Sequence, residues 1–196
     1  MPKDAGIGAS SKRREDVRFL TGKGVYTDDM NVNGQTYAYI LRSQVAHGTI
    51  NSIDTTAASN ASGVVRVFTH ADFAEVGGIP CGWGVTDKNG DPQKEPKHPI
   101  LAEGKVRHVG DPIAMVVAES LAEARDAAEL IDVDIAELPA VIDMTAAIQG
   151  GTQVHEEAPD NICYDWEFVQ ENKDAVDQAM AMKTVKSTIV PFEDML

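Results

Sequence analysis

Ser43 and His47 stand four residues apart and are the two residue types of a nucleophile–base pair, which also needs an orienting acid. They flank the end of an apolar, strand-length run. An extended chain sends successive side chains to opposite faces and does not converge them, so both are expected to cap or pin a turn. The five histidines, His47, His70, His98, His108 and His155, are scattered along the chain. None has the four-residue spacing that sets two imidazoles on one helix face around a metal. Asp28-Asp29 is the tightest acidic pair, but adjacent residues in an extended chain point apart, which makes it a solvated turn. His155-Glu156-Glu157 reads as a polar loop leading to Pro159.

Cys81 and Cys163 belong to no Cys-x-x-Cys pair, so ordinary reduced thiols are expected, with neither a zinc site nor a disulfide framework. A phosphate-cradling loop needs several glycines opening onto a helix N-terminus. Gly22-Lys23-Gly24 precedes an extended segment and lacks the following Ser or Thr, and Gly104-Lys105 fails in the same way. Gly110-Asp111-Pro112 leads into a strand and reads as a tight turn feeding the core. Asn60-Ala61-Ser62 fits the glycosylation pattern and is expected to stay unmodified, because Met1 to Ser11 is polar and has no apolar run of secretory type. Trp83, between Gly82 and Gly84, is open to two readings. It either anchors a partner surface or folds back onto its own domain. No residue is therefore assigned a catalytic, cofactor-binding or metal-binding role.

Around these residues the apolar pattern sets the elements. Tyr37 to Leu41, following the turn signal Asn33-Gly34, reads as a strand, as do Thr49 to Ile53 and Val64 to Phe68. A short helical turn at Ala57 to Asn60, ending at Gly63, separates the last two. Gly77 to Pro99 has no period that would bury it, and it exceeds the roughly 12–15 residues above which an unstructured loop is uncommon. Ile113 to Ala118 is a continuous apolar run, expected as a central strand covered on both faces. Ser120 with Glu123 has the capping-box spacing, and Leu121, Ala124, Ala128 and Ile131 then recur at helical period.

Val133 and Ile135 alternate with Asp132, Asp134 and Glu137 as a strand that Pro139 ends. Strand, helix and strand in succession predict a right-handed βαβ crossover in a mixed α/β sheet. A short helix at Met144 to Ile148 closes at Gly150-Gly151. A strand at Tyr164 to Val169 and a helix at Asp174 to Met182 complete a connector from Thr152.

The 196 residues suit one domain plus an extension, and 43% hydrophobic content permits a core. Against 31 acidic side chains there are 17 basic ones, a formal net charge of −14 that disfavours nucleic acid and anionic lipid as partners. No segment reaches the roughly 18–20 apolar residues of a membrane span, and a soluble, cytoplasmic protein is expected.

Three ordered segments carry a family resemblance. They are Arg14-Glu15-Asp16-Val17-Arg18-Phe19-Leu20-Thr21-Gly22, then Arg42 to Asp54 with its Ser43-Gln44-Val45-Ala46-His47-Gly48, then Val109-Gly110-Asp111-Pro112-Ile113-Ala114 with Val116-Val117-Ala118. Together with Thr21-Gly22-Lys23-Gly24, Tyr26-Thr27-Asp28-Asp29 and Ala118-Glu119-Ser120, the chain resembles the start of a molybdenum hydroxylase large subunit. The family is that of xanthine dehydrogenase and aldehyde oxidase, with carbon monoxide dehydrogenase-like large subunits nearest.

The resemblance implies an α/β (α+β) fold of a/b hammerhead type, a mixed β-sheet with packed helices. It divides the chain into a polar arm at 1–17, the hammerhead at 18–150, and a connector with the truncated start of a molybdopterin-binding domain at 151–196. It further implies a molybdopterin cofactor for the full-length enzyme, an iron–sulfur small subunit and an FAD medium subunit as partners, and a catalytic centre outside this chain. The chain alone is then expected to be inactive, with a structural and subunit-contact role. The alternative is a stand-alone binding or scaffold module that keeps the hammerhead fold. Val185, Ile189 and Val190, an apolar run with no obvious partner strand, speak against it.

Overall fold

The computed structural model describes residues 13–167 and 172–181. Met1 to Ser11, Phe168, Val169, Met182, the run Val185 to Val190 and the segment from Pro191 to Leu196 lie outside the described residues. Helix α1 (Asp16–Leu20) opens the described chain, and a 3-10 turn over Thr27–Asp29 follows it. Strands β1 (Tyr37–Arg42), β2 (Gly48–Asp54) and β3 (Val64–Phe68) fall where the apolar runs place them, with helix α2 (Thr56–Ser59) between the last two. After the long excursion come β4 (Lys105–Val106), β5 (Pro112–Ala118), α3 (Leu121–Ala128), β6 (Asp132–Glu137), α4 (Met144–Ala147) and α5 (Lys173–Ala181).

The strands form two three-stranded sheets, in the orders β1-β5-β3 and β4-β2-β6. The expected βαβ crossover is therefore corrected, because β5 and β6 belong to different sheets and α3 does not join neighbours of one sheet. A strand–helix–strand succession fixes periodicity but not which edge each strand pairs with. β5 lies in the middle of its sheet, as its unbroken apolar run requires, and is buried at Ile113, Ala114, Val116 and Ala118. It pairs antiparallel with β3, Val64 opposite Ala118 and Phe68 opposite Met115, with a register shift between Val64 and Arg66.

The chain divides into two compact units. The first comprises 13–41, 54–68 and 115–132 among the described residues. Here α2, α3 and β3 pack together, and the buried face is built from Ala58, Ala124, Ala127 and Ala128, small side chains that permit close approach. Ala127 takes the place in the stripe expected of Leu121, which stays 41% exposed in the first turn of α3. Ser120 caps α3 by accepting the Glu123 N–H at 3.2 Å. The reciprocal half of the expected capping box is replaced: the Ser120 hydroxyl donates to the Glu123 carboxylate at 2.7 Å.

The second unit holds the sheet β4-β2-β6, with Gly48 opposite Val106 and Thr49 opposite Lys105. Its core is Ala102, Val106 and Ile113, with Val45, Ile50, Ile53, Val133 and Ile135 packed against them. The alternation read from Val133 and Ile135 thus has its covered face on this core. Gly48 is where β6 comes closest, since a Cβ there would stand 2.5 Å from Ile135 Cγ2 and 3.0 Å from the Ala136 carbonyl.

Gly48→Ala is expected to destabilise the fold by about 1–3 kcal/mol, because the added Cβ meets the branch of Ile135 at its Cβ and the Ala136 carbonyl behind it, neither of them a flexible side-chain tip. Ser120→Ala is expected to cost about 1 kcal/mol through the lost cap. Urea denaturation followed by circular dichroism measures both, and a Gly48→Ala midpoint equal to wild type contradicts the packing argument.

Candidate functional site

Ser43 and His47 are both buried, and neither faces the other as nucleophile and base. Ser43 Oγ donates to the Val45 carbonyl at 2.7 Å and accepts the Val45 N–H at 3.0 Å, a side-chain turn that occupies the hydroxyl. The Ser43 N–H donates to the Asp111 carbonyl at 2.9 Å, and the Gly110 N–H donates to the Ser43 carbonyl at 2.8 Å. His47 is 4% exposed, and its Nδ1 lies 2.9 Å from the Pro139 carbonyl. A carbonyl can only accept, so Nδ1 carries the proton and Nε2, also buried, meets no donor among the described residues. The pair pins turns, as the spacing suggests.

The long excursion has a structure that the sequence did not reveal. Ile79 N–H donates to the His98 carbonyl at 2.7 Å, Gln93 N–H to the Val85 carbonyl at 3.0 Å, and Thr86 and Pro92 form an isolated antiparallel bridge. At its tip the Asp87 carboxylate accepts the N–H groups of Asn89 at 2.7 Å and Asp91 at 3.0 Å. These backbone donors, Asp91 first, hold the Asp87 carboxyl below the usual carboxylate range.

The segment expected as a strand from Tyr164 is another correction, since Tyr164 to Glu167 joins no sheet. Its carbonyls instead take up backbone donors from the excursion. Lys94 N–H donates to the Cys163 carbonyl and Lys88 N–H to the Asp165 carbonyl, both at 2.8 Å. Lys88 also pairs with the Asp165 carboxylate, which raises the pKa of its ammonium above the ordinary lysine value.

Between excursion and connector lies a hollow of about 820 Å³ whose walls include Trp83, Val85, Pro96, Tyr164 and Trp166, with Cys81 and Cys163 beside them. Trp83 is not buried against its own domain: the residue is 78% exposed, with Trp166 at 58% and Tyr164 at 49%. Both cysteines are free and exposed. Sequence reasoning singled out Trp83 but missed Tyr164 and Trp166. The available signal was a repeated pattern, Cys81 with Trp83 two residues on and Cys163 with Trp166 three residues on.

The scattered histidines are partly gathered by the fold. His98, His108 and His155 line one smaller hollow, while His70 lies 3.3 Å from Glu103. Among the described residues no group of three or more His, Cys, Asp or Glu side chains is placed to hold a metal ion. Nor is any described helix long and apolar enough to cross a membrane.

Residues 21–139 match the family model of the aldehyde oxidase and xanthine dehydrogenase a/b hammerhead domain. The chain is 41% identical over 156 residues to the nicotine 6-hydroxylase large subunit of Paenarthrobacter nicotinovorans, covering 80% of this chain and 19% of that protein. With the carbon monoxide dehydrogenase large chain of Afipia carboxidovorans it shares 37% identity over 146 residues, 74% of this chain and 17% of the other. Among solved structures, quinoline 2-oxidoreductase from Pseudomonas putida 86 superposes with a TM-score of 0.65 at 42% identity, over 74% of this chain and 18% of that one. The chain thus spans about 19% of the length of the first curated relatives it matches.

The Asp87 turn yields a pH prediction. A carboxyl whose folded pKa is depressed contributes stability above its unfolded value and loses it as pH falls through the folded one. Amide protection at Asn89 and Asp91, corrected for intrinsic exchange, is expected to persist at pH 5 and to fall as the pH drops below about 4. Protection unchanged down to about pH 2 removes Asp87 as the anchor of that turn.

Proposed function

We propose, for a chain that belongs to the aldehyde oxidase and xanthine dehydrogenase family by its a/b hammerhead domain, that it serves as the hammerhead portion of a molybdenum-cofactor large subunit. The parent enzyme is a cytoplasmic oxidoreductase hydroxylating aldehydes, N-heterocycles or carbon monoxide, and this portion contributes structure and subunit contacts. Residues 18–150 act as the hammerhead and 151–196 as the connector toward a molybdopterin-binding domain. An iron–sulfur subunit and an FAD subunit are the partners of the assembled enzyme.

The observation that carries this reading is the hollow beside Trp83, Tyr164 and Trp166. Three large aromatic side chains stand on segments joined by backbone hydrogen bonds of their neighbours, Lys94 to Cys163 and Lys88 to Asp165, and remain about half or more exposed. Exposed aromatic clusters of this kind serve as anchors of interfaces, and the similar large subunits have some four-fifths of their length beyond the match. The large hollow does not fit a molybdopterin site. A phosphorylated, dithiolene-bearing pterin needs convergent phosphate donors, whereas the large hollow is mainly apolar and Lys94, its lone cation, turns its Nζ toward the Ile162 carbonyl at 3.5 Å. No catalytic step is assigned to this chain.

The test compares the 196-residue chain with the assembled enzyme. The chain is expected to hold no molybdenum and to reduce no dye with aldehydes, purines or carbon monoxide, and stoichiometric molybdenum in it overturns the reading. Hydrogen exchange is expected to show protection around Trp83 and Trp166 in the assembled enzyme beyond that in the chain. Trp83→Ala is expected to leave the chain's own stability within about 0.5 kcal/mol. The same change should weaken assembly by about 2 kcal/mol, as read by titration of the partner. A chain that is monomeric, stable and indifferent to the other subunits favours the stand-alone scaffold instead.

A further inference from the structure

The second hollow, about 190 Å³, gathers Lys97, His98, Arg107, His108, Asp111 and His155 from three separated stretches of sequence. In a chain with a formal net charge of −14, such a concentration of nitrogen bases is a local inversion of charge character. Its fixed charges nevertheless cancel. Lys97 Nζ is paired with Glu103 at 2.7 Å, and Glu103 also faces His70. Asp111 accepts the backbone N–H of Arg107 at 2.9 Å and stands 3.8 Å from His108 Nδ1, so its carboxylate is engaged on the wall. Arg107 is itself positioned by its Nε–H, which donates to the Val154 carbonyl at 3.2 Å next to His155. Any surplus positive charge in the hollow must therefore come from imidazole protonation.

We infer that this hollow binds a small tetrahedral oxyanion, with Arg107 as the permanent cation, His155 taking up a proton as the anion enters, and His98 and His108 lining the same wall. The groups facing His155 set the coupling. Burial first, then the charge of Arg107 and of His98, push its imidazole below the ordinary histidine value, while Glu157 and Asp111 pull the other way. Without an anion His155 is thus neutral near pH 7, and its protonated form is the one an oxyanion stabilises. Cys163, also on the wall, is exposed and free. The Lys97–Glu103 pair and the Lys105–Glu156 pair keep their own charges balanced.

Inorganic sulfate is the suitable probe, because it stays doubly charged throughout the histidine range. Calorimetric titration of the full chain at constant ionic strength is expected to show sulfate binding at least about tenfold tighter at pH 5.5 than at pH 7.5. Proton uptake on binding, read from buffers of different ionisation enthalpy, and shifts of the imidazole nitrogen resonances of His98, His108 and His155 should accompany it. His155→Gln is expected to reduce both the affinity at pH 5.5 and the proton uptake, and Arg107→Lys to weaken binding at both pH values. Lys23→Gln, which removes one exposed cation outside the hollow, should leave both intact. Absence of binding, equal affinity at the two pH values, or equal losses in Lys23→Gln and His155→Gln would each overturn the site.

Discussion

The exchange of backbone hydrogen bonds between Ser43 and the Gly110-Asp111 turn is the constraint around which the second unit is arranged. Ser43 donates to Asp111 and accepts from Gly110, and Arg42 adds a guanidinium donor to the Gly110 carbonyl at 2.8 Å. Gly110 has a φ of +90°, where a side chain would be strained, so the turn can face Ser43 only with glycine in that place. From the same crossing the chain runs on through the Ser43 turn to His47 and Gly48, and through Pro112 to the buried Ile113. Two of the segments by which the family is recognisable in the sequence are thus the two sides of one contact. Their residues are fixed by backbone pairing and burial, and catalysis need not be invoked to explain them.

The acidic surplus has a related structural use. Asp29, Asp54, Asp72, Asp87, Asp111 and Asp143 each accept at least one backbone N–H in a turn or at a helix start. A short carboxylate reaches donors two to four residues along its own chain, which leaves these groups committed locally and unavailable to converge on a cation. Among the described residues no group of three or more such side chains is placed to hold a metal ion, and these six aspartates are each turned to their own stretch of backbone.

What was legible in the sequence follows the range of the interaction concerned. The β1, β2, β3, β5 and β6 strands and the Ser120 cap of α3 are written in neighbouring residues, and the structure has them within a residue or two. Sheet membership is not written there. The run ending at Ala118 and the run starting at Asp132 look like two sides of a crossover, yet pairing with β3 and β2, far away in sequence, assigns them to separate sheets. The hollow around Trp83 escaped for the same reason. Its other wall, Tyr164 and Trp166, lies some eighty residues on and was expected as a strand, but the apolar rings there are displayed on a segment with no sheet to join.

The excursion and the connector are joined by main-chain hydrogen bonds, Lys94 to Cys163 and Lys88 to Asp165, to which the Lys88–Asp165 ion pair and the Lys94 ammonium add side-chain ties. A frame of that kind separates holding from showing. None of these ties runs through the rings of Trp83 or Tyr164, so the contacts that join the two segments and the aromatic surface beside them are carried by different atoms.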